Sequence, residues 1–165
     1  KIVIPTDFSV KSLSHIVYIL EQSSEDECLE IILLHGVYPS DSISELLFTS
    51  TSSLLANLQT PEFINSCNLI KNKFQSRIKA MYADVIPNSS RAYLANYLEA
   101  NAIEEIYIPM NYSMKFQSKR SFDVRSLLQR GTVPITELHL VDMENFQPTR
   151  TGQMADLFFA RADAS

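Results

Sequence analysis

The sequence predicts an α/β fold: a doubly wound parallel sheet covered by helices on both faces. Three observations carry this. Ile2-Val3-Ile4 and Ile106-Tyr107-Ile108 are continuous apolar runs, each closed by a proline (Pro5 and Pro109), and Leu29 to Leu34 is nearly all apolar. Such runs suit strands buried on both faces, as in parallel sheets. Between them lie segments with apolar residues at helical spacing, so strand and helix alternate along the chain.

Taken in order, Ile2 to Ile4 form the first strand. Pro5 ends it, because proline has no N–H to give a neighbouring strand. Thr6-Asp7 is a polar turn, and Ser9 suits the N-cap of the helix that follows. That helix runs from Val10 to about Gln22, with Val10, Leu13, Ile16, Val17 and Leu20 on one stripe and His15 facing roughly outward. Leu29 to Leu34, ending at His35-Gly36-Val37, is the second strand. Together they make a βαβ unit, expected to be right-handed.

Pro39 to Thr60 is rich in Ser and Thr and reads as a long, partly ordered loop. Pro61 to about Met81 reads as one helix, with Phe63, Ile64, Cys67, Ile70, Phe74, Ile78 and Met81 on its stripe. Asp84 to Pro87 leaves room for a brief strand only. Asn88, Ser89 and Ser90 offer N-caps for a helix over Arg91 to Ala100. Ile106 to Pro109 is the fourth strand, followed by a polar, basic loop from Asn111 to Arg120. Ser121 is expected to cap a helix through Phe122, Val124, Leu127 and Leu128, with Gly131 as a left-handed C-cap. Pro134 to Val141 is the last strand, and Glu137 within it points to a sheet edge.

At 165 residues the chain reads as one domain, residues 1–141, with a C-terminal tail, 142–165, that is either a dimer arm or the start of a second or removed module. A net charge of −5 argues against nucleic acid or an anionic membrane as a partner. Cys28 and Cys67 have no metal-ligand spacing and read as small buried hydrophobes in a reducing compartment. No segment is long and apolar enough to span a bilayer, and no basic region followed by an apolar core opens the chain, so a cytoplasmic protein is expected. The chain starts at Lys1 without Met, which leaves room for residues upstream. No Cys/His spacing fits zinc, and no Ser-His-Asp arrangement can be placed.

The residues Ile2-Val3-Ile4-Pro5-Thr6-Asp7-Phe8-Ser9, the Leu33-Leu34-His35 close of the second strand, and Val133-Pro134-Ile135 opening the last one resemble the universal stress protein family over roughly Lys1 to Val141. The resemblance implies a Rossmann-like, five-stranded parallel sheet of order 3-2-1-4-5, homodimers through the last strand (here Ile135 to Val141), and stress-related work in the cytoplasm. Its ATP-binding members carry a G-x2-G-x9-G-(S/T) motif after the fourth strand. There glycines let backbone N–H groups close on phosphates, and a helix N-terminus favours the anion. In this chain the last motif pair falls on Ser121-Phe122, and the earlier glycines fall near Pro109 or Met110 and near Tyr112. None of these residues is glycine, and Tyr112 and Phe116 could fill the space a triphosphate needs.

The expected function is therefore a non-catalytic stress-response or regulatory protein that does not bind ATP and has no cofactor. The alternative is a sensor of a nucleotide or other small ligand at Asp7, which leaves residual adenine-nucleotide binding open. The candidate ligand site comprises Thr6, Asp7 and Phe8 after the first strand, Gly36 and Val37 where the family places the adenine edge, and Asn111, Lys119, Arg120, Ser121 and Phe122. Lys115, Lys119 and Arg120 could form a side-chain anion site in place of the glycines, although a solvated loop is the preferred reading. No catalytic residue and no metal ligand is expected.

Overall fold

A computed structural model describes residues 1–24 and 26–139. Its parallel strands are β1 (Ile2–Pro5), β2 (Leu29–Val37), β3 (Ile78–Ile86), β4 (Glu105–Pro109) and, last in the chain, β6 (Ile135–Leu138). They lie side by side in the order β3-β2-β1-β4-β6, so β1 is central and β3 and β6 are edges. This is the 3-2-1-4-5 arrangement, with β6 as the fifth long strand. A two-residue strand, β5 (Ser121–Phe122), pairs antiparallel with Gly36 and Val37 at the end of β2.

The central strands are mostly apolar because both of their faces are buried. Ile2 and Ile4 enter a core with Ile31, Leu33, Leu13, Ile16, Phe63 and Ile70. Val3 enters a second core with Ile32, Leu34, Leu94, Leu98, Ile106 and Leu128. The first core lies under α1 (Ser14–Gln22) and α4 (Pro61–Lys73), and the second under α5 (Arg91–Ala100) and α6 (Arg125–Leu128). Register follows: Ile4 lies opposite Leu33 in β2, and Val3 opposite Ile106 in β4.

The first helical segment opens as a 3-10 turn over Val10–Leu13, with the Ser9 hydroxyl accepting from the Ser12 N–H at 3.2 Å. His15 is buried, not outward: its Nδ1 donates to the Ser12 carbonyl at 2.9 Å. Cys28 is exposed, against the expectation that both cysteines are buried, and Cys67 is half-buried.

Three further expectations are corrected. The Ser/Thr-rich stretch 39–60 is not a loop but contains α2 (Ile43–Phe48) and α3 (Thr51–Leu58). Ser50 caps α3, its hydroxyl accepting from the Ser53 N–H, and Leu58 is buried in the first core. The helix beginning at Pro61 stops at Lys73, and Ile78 and Met81 belong to a nine-residue β3. The cause is pairing: β2 offers a full row of backbone groups to β3, and the turn between is tied by Arg77, whose guanidinium donates to the Ser23 and Ser24 carbonyls at 2.9 and 3.0 Å. Ser121 caps no helix. It is drawn into β5, α6 covers only Arg125–Leu128, and Gly131 is not left-handed. Of the expected strand at 134–141, Ile135–Leu138 form β6, and Pro134 and His139 lie outside it; Leu140, Val141 and the tail with Leu157, Phe158 and Phe159 lie outside the described residues.

Candidate functional site

The turn after β1 brings Thr6, Asp7 and Phe8 to the carboxyl end of the sheet, beside the gap where β1 faces β2 on one side and β4 on the other. Open α/β sheets place ligands there. The turn is sharp: Phe8 has φ of 60°, a left-handed conformation unusual for a bulky residue. The Phe8 N–H donates to the Thr6 hydroxyl at 3.0 Å, and that hydroxyl also bonds Ser12. The Phe8 ring is buried, stacked on His35 and edge-on to Phe63.

Asp7 is 3% exposed. Its Oδ1 accepts from the Ser9 N–H at 3.0 Å. Its Oδ2 accepts from the Tyr112 hydroxyl at 2.7 Å and from the Lys115 backbone N–H at 2.9 Å. Tyr112 also bonds the Ser9 hydroxyl at 2.8 Å. Burial, and the Asp7 carboxylate beside it, push the Tyr112 phenol above its usual range, so it stays a donor. Arg125 holds the incoming chain: its guanidinium donates to the carbonyls of Pro109 and Tyr112 at 3.0 and 2.7 Å, and pairs with Asp123. The loop after β4 therefore closes over Asp7 as a clasp.

His35 forms the second half of the arrangement. Its Nδ1 donates to the Thr6 carbonyl at 2.8 Å, which leaves Nε2 to accept from the Ser121 hydroxyl at 2.8 Å in the neutral ring. Burial lowers its pKa, and Phe116 lies edge-on to it. Gly36 must be glycine, because a Cβ there would lie 2.7 Å from the Phe122 side chain, the Phe122 carbonyl and Val124. Phe122 in turn stacks on Tyr38.

The structure thus gathers Thr6, Asp7, Phe8, Gly36, Val37, Ser121 and Phe122 at one end of the sheet, but as packed and mutually bonded groups. Asn111, Lys119 and Arg120 lie on the exposed surface of the loop, and Arg120 approaches Glu45 at 3.7 Å. Sequence reasoning recognised Tyr112 only as bulk; its hydroxyl, the Lys115 N–H and the Arg125 anchor have no signature in spacing. It also passed over Asp84, which lines a cavity of about 260 Å³ at the ends of β2 and β3 together with Tyr93 and Tyr97. The signal available was the Tyr82-Asp84-Ile86 alternation of β3. Among the described residues there is no cluster of metal-ligating side chains, and no helix is long and apolar enough to cross a membrane.

No protein-family model matches the sequence, and no curated protein does. Solved structures do. Hypothetical protein PH0823 is 19% identical with a TM-score of 0.51, over 86% of this chain and 96% of that one. Hypothetical protein MJ0577 is 18% identical with a TM-score of 0.50, over 84% and 94%. A member of the universal stress protein family from Burkholderia pseudomallei is 12% identical with a TM-score of 0.42, over 83% and 94%. At these identities the likeness is one of fold.

Proposed function

We propose that this chain, which has the universal stress protein fold, is a non-catalytic stress-response or regulatory protein of that type, working in the cytoplasm without binding ATP. The observation that carries the reading is the enclosure of Asp7, which is buried under groups of its own chain. Both carboxylate oxygens are taken by groups of the chain itself, two of them from the loop after β4. A nucleotide approaching this end of the sheet would have to displace the Tyr112 hydroxyl, the Phe116 ring and β5. It would find no glycine cradle in exchange. Each charge-assisted hydrogen bond missing from such a cradle is worth roughly 1.5–3 kcal/mol, so the expected loss of affinity is orders of magnitude. A sensor using the Asp7 pocket would need the same clasp opened, which is why the first reading is preferred. Titration calorimetry with ATP tests it. We expect no saturable heat, and low-micromolar binding would overturn the reading.

Homodimerisation through the last strand belongs to the same proposal. β6 is a sheet edge, paired with β4 on one side only. Glu137 on it and His139 just past its end are exposed, with His139 Nε2 3.5 Å from Glu137 Oε2, and a two-fold axis perpendicular to the strand would join it antiparallel to its copy. Leu138 is buried in the chain's own core, so Leu138→Arg would damage the fold as well as an interface. His139→Pro, at an exposed position, is the better test. Light scattering should give a dimer that this change disrupts; a wild-type monomer, or an unaltered dimer, would exclude the interface.

A further inference from the structure

The cavity at the ends of β2 and β3 is separate from the clasp over Asp7. It opens between the start of α3, the outer strand β3 and α5, and its volume of about 260 Å³ lies just under the usual range of small-ligand sites. Its base is a carboxylate held from both sides. Asp84 Oδ2 accepts from the Tyr97 hydroxyl at 2.8 Å, and Oδ1 accepts from the Val85 N–H at 2.8 Å. An ionised carboxylate has about four acceptor positions, so each oxygen keeps one to offer. Burial, and the bond to Asp84, raise the Tyr97 phenol well above its ordinary pKa; it remains a donor and fixes the carboxylate's orientation without titrating. Such fixing lowers the ordering cost of binding.

The remaining walls set the chemistry. Val37, Leu54 and Pro87 are apolar, Tyr93 adds a second phenol, and Thr49 and Thr51 bring hydroxyls at the rim. No Lys, Arg or His is among the lining residues. The walls therefore disfavour phosphates and carboxylates and favour a cation that donates hydrogen bonds and carries a short apolar body. We propose that this cavity is a binding site for a small primary amine, its ammonium on Asp84 and its apolar body against Val37, Leu54 and Tyr93. The site does not depend on what occurs at Asp7, and an amine need not compete with the clasp.

Amide chemical shifts of the full chain test this with three probes that share a phenethyl group: phenethylamine, 2-phenylethanol and 3-phenylpropionate. Phenethylamine should shift the Val85, Tyr93 and Tyr97 amides saturably, the alcohol more weakly, and the carboxylate not at all. Asp84→Asn should weaken the amine about tenfold or more, since the ammonium then bonds a neutral amide oxygen and loses the opposite charge of the carboxylate. Thr49→Trp places a large ring at the exposed rim, leaves Asp84 in place, and should abolish the shifts; it keeps the test valid if Asp84→Asn folds poorly. Equal binding of amine and carboxylate, no saturable shift, or an affinity unaltered in both variants would each overturn the proposal.

Discussion

Asp7 and Asp84 stand at the same end of the same sheet. Asp7 follows the central strand, is buried, and gives its oxygens to three groups of the chain, two of them from the loop after β4. Asp84 lies on an edge strand, is half-buried, and keeps one side toward a cavity. Each carboxylate accepts from a tyrosine hydroxyl, so the chemistry is alike and the surroundings differ. At the centre, the loops that leave β2 and β4 converge, and Tyr112, Phe116 and Phe122 occupy the space between them. At the edge no further strand follows β3, and α3 and the first two turns of α5 approach. Where two loops meet over a carboxylate it becomes a structural joint, and where a single face is covered it stays accessible.

The contrast can be broken most forcefully at Asp7. Asp7→Ala removes the acceptor for Ser9, Tyr112 and Lys115, and a buried donor left without a partner costs about 1–3 kcal/mol. Urea unfolding should therefore lose about 3 kcal/mol or more, comparable to a cavity substitution such as Ile4→Ala in the same strand. A loss under about 1 kcal/mol would mean the clasp holds nothing. Gly36→Ala comes next. Its Cβ has no space against Phe122 and Val124, and overpacking of this kind costs about 1–3 kcal/mol. An unchanged melt would show that β5 can leave β2 freely.

Acidification probes the same end of the molecule more gently. Burial holds the folded-state pKa values of His35 and His15 below the unfolded value near 6.5. The unfolded chain then binds protons that the folded chain refuses, so stability is full above the unfolded value and falls as the pH drops through it. The slope is at most about 1.4 kcal/mol per pH unit for each histidine. A His35→Gln variant with the wild-type slope between pH 7 and 5 would remove His35 from this account. The smallest effect should be at the edge: Asp84→Ala loses the Tyr97 bond in a half-buried place and should cost about 1 kcal/mol. If it proves as damaging as Asp7→Ala, the two sites are not the opposites drawn here.

Much of the scaffold was legible because local signals agreed with the packing. Ile2 to Pro5 and Glu105 to Pro109 are strands buried on both faces, and Ser9, Thr60 and Ser90 each cap the segment that follows. The misreadings arose where one signal serves two structures. Phe63 through Met81 keeps helical spacing although the last two apolar residues lie in a strand, and only pairing with β2 decides between the readings. Ser and Thr between Pro39 and Thr60 suit a loop, yet they also start helices. At the site, the position of Asp7 followed from strand, turn and cap. The bonds that occupy it come from Tyr112 and Lys115, more than a hundred residues away, and no pattern local to either stretch encodes that meeting.

That separation also has a temporal side. The contact of His35 with Thr6 spans 29 residues, and that of Tyr112 with Asp7 spans 105. Closing the larger loop costs roughly 1 kcal/mol more in chain entropy. The N-terminal half, β1 to β3, can also pair without waiting for β4, whereas the clasp needs β4, its loop and the Arg125 anchor in place first. The order of assembly that follows is a half-sheet exposing β1's free edge, then β4 docking along it, and the clasp last. Interactions made after the rate-limiting barrier govern escape from the native state more than entry into it. Asp7→Ala should thus fold at nearly the wild-type rate and unfold faster. The tyrosine that closes this end of the sheet is, in kinetic terms, a latch on the time the chain stays folded.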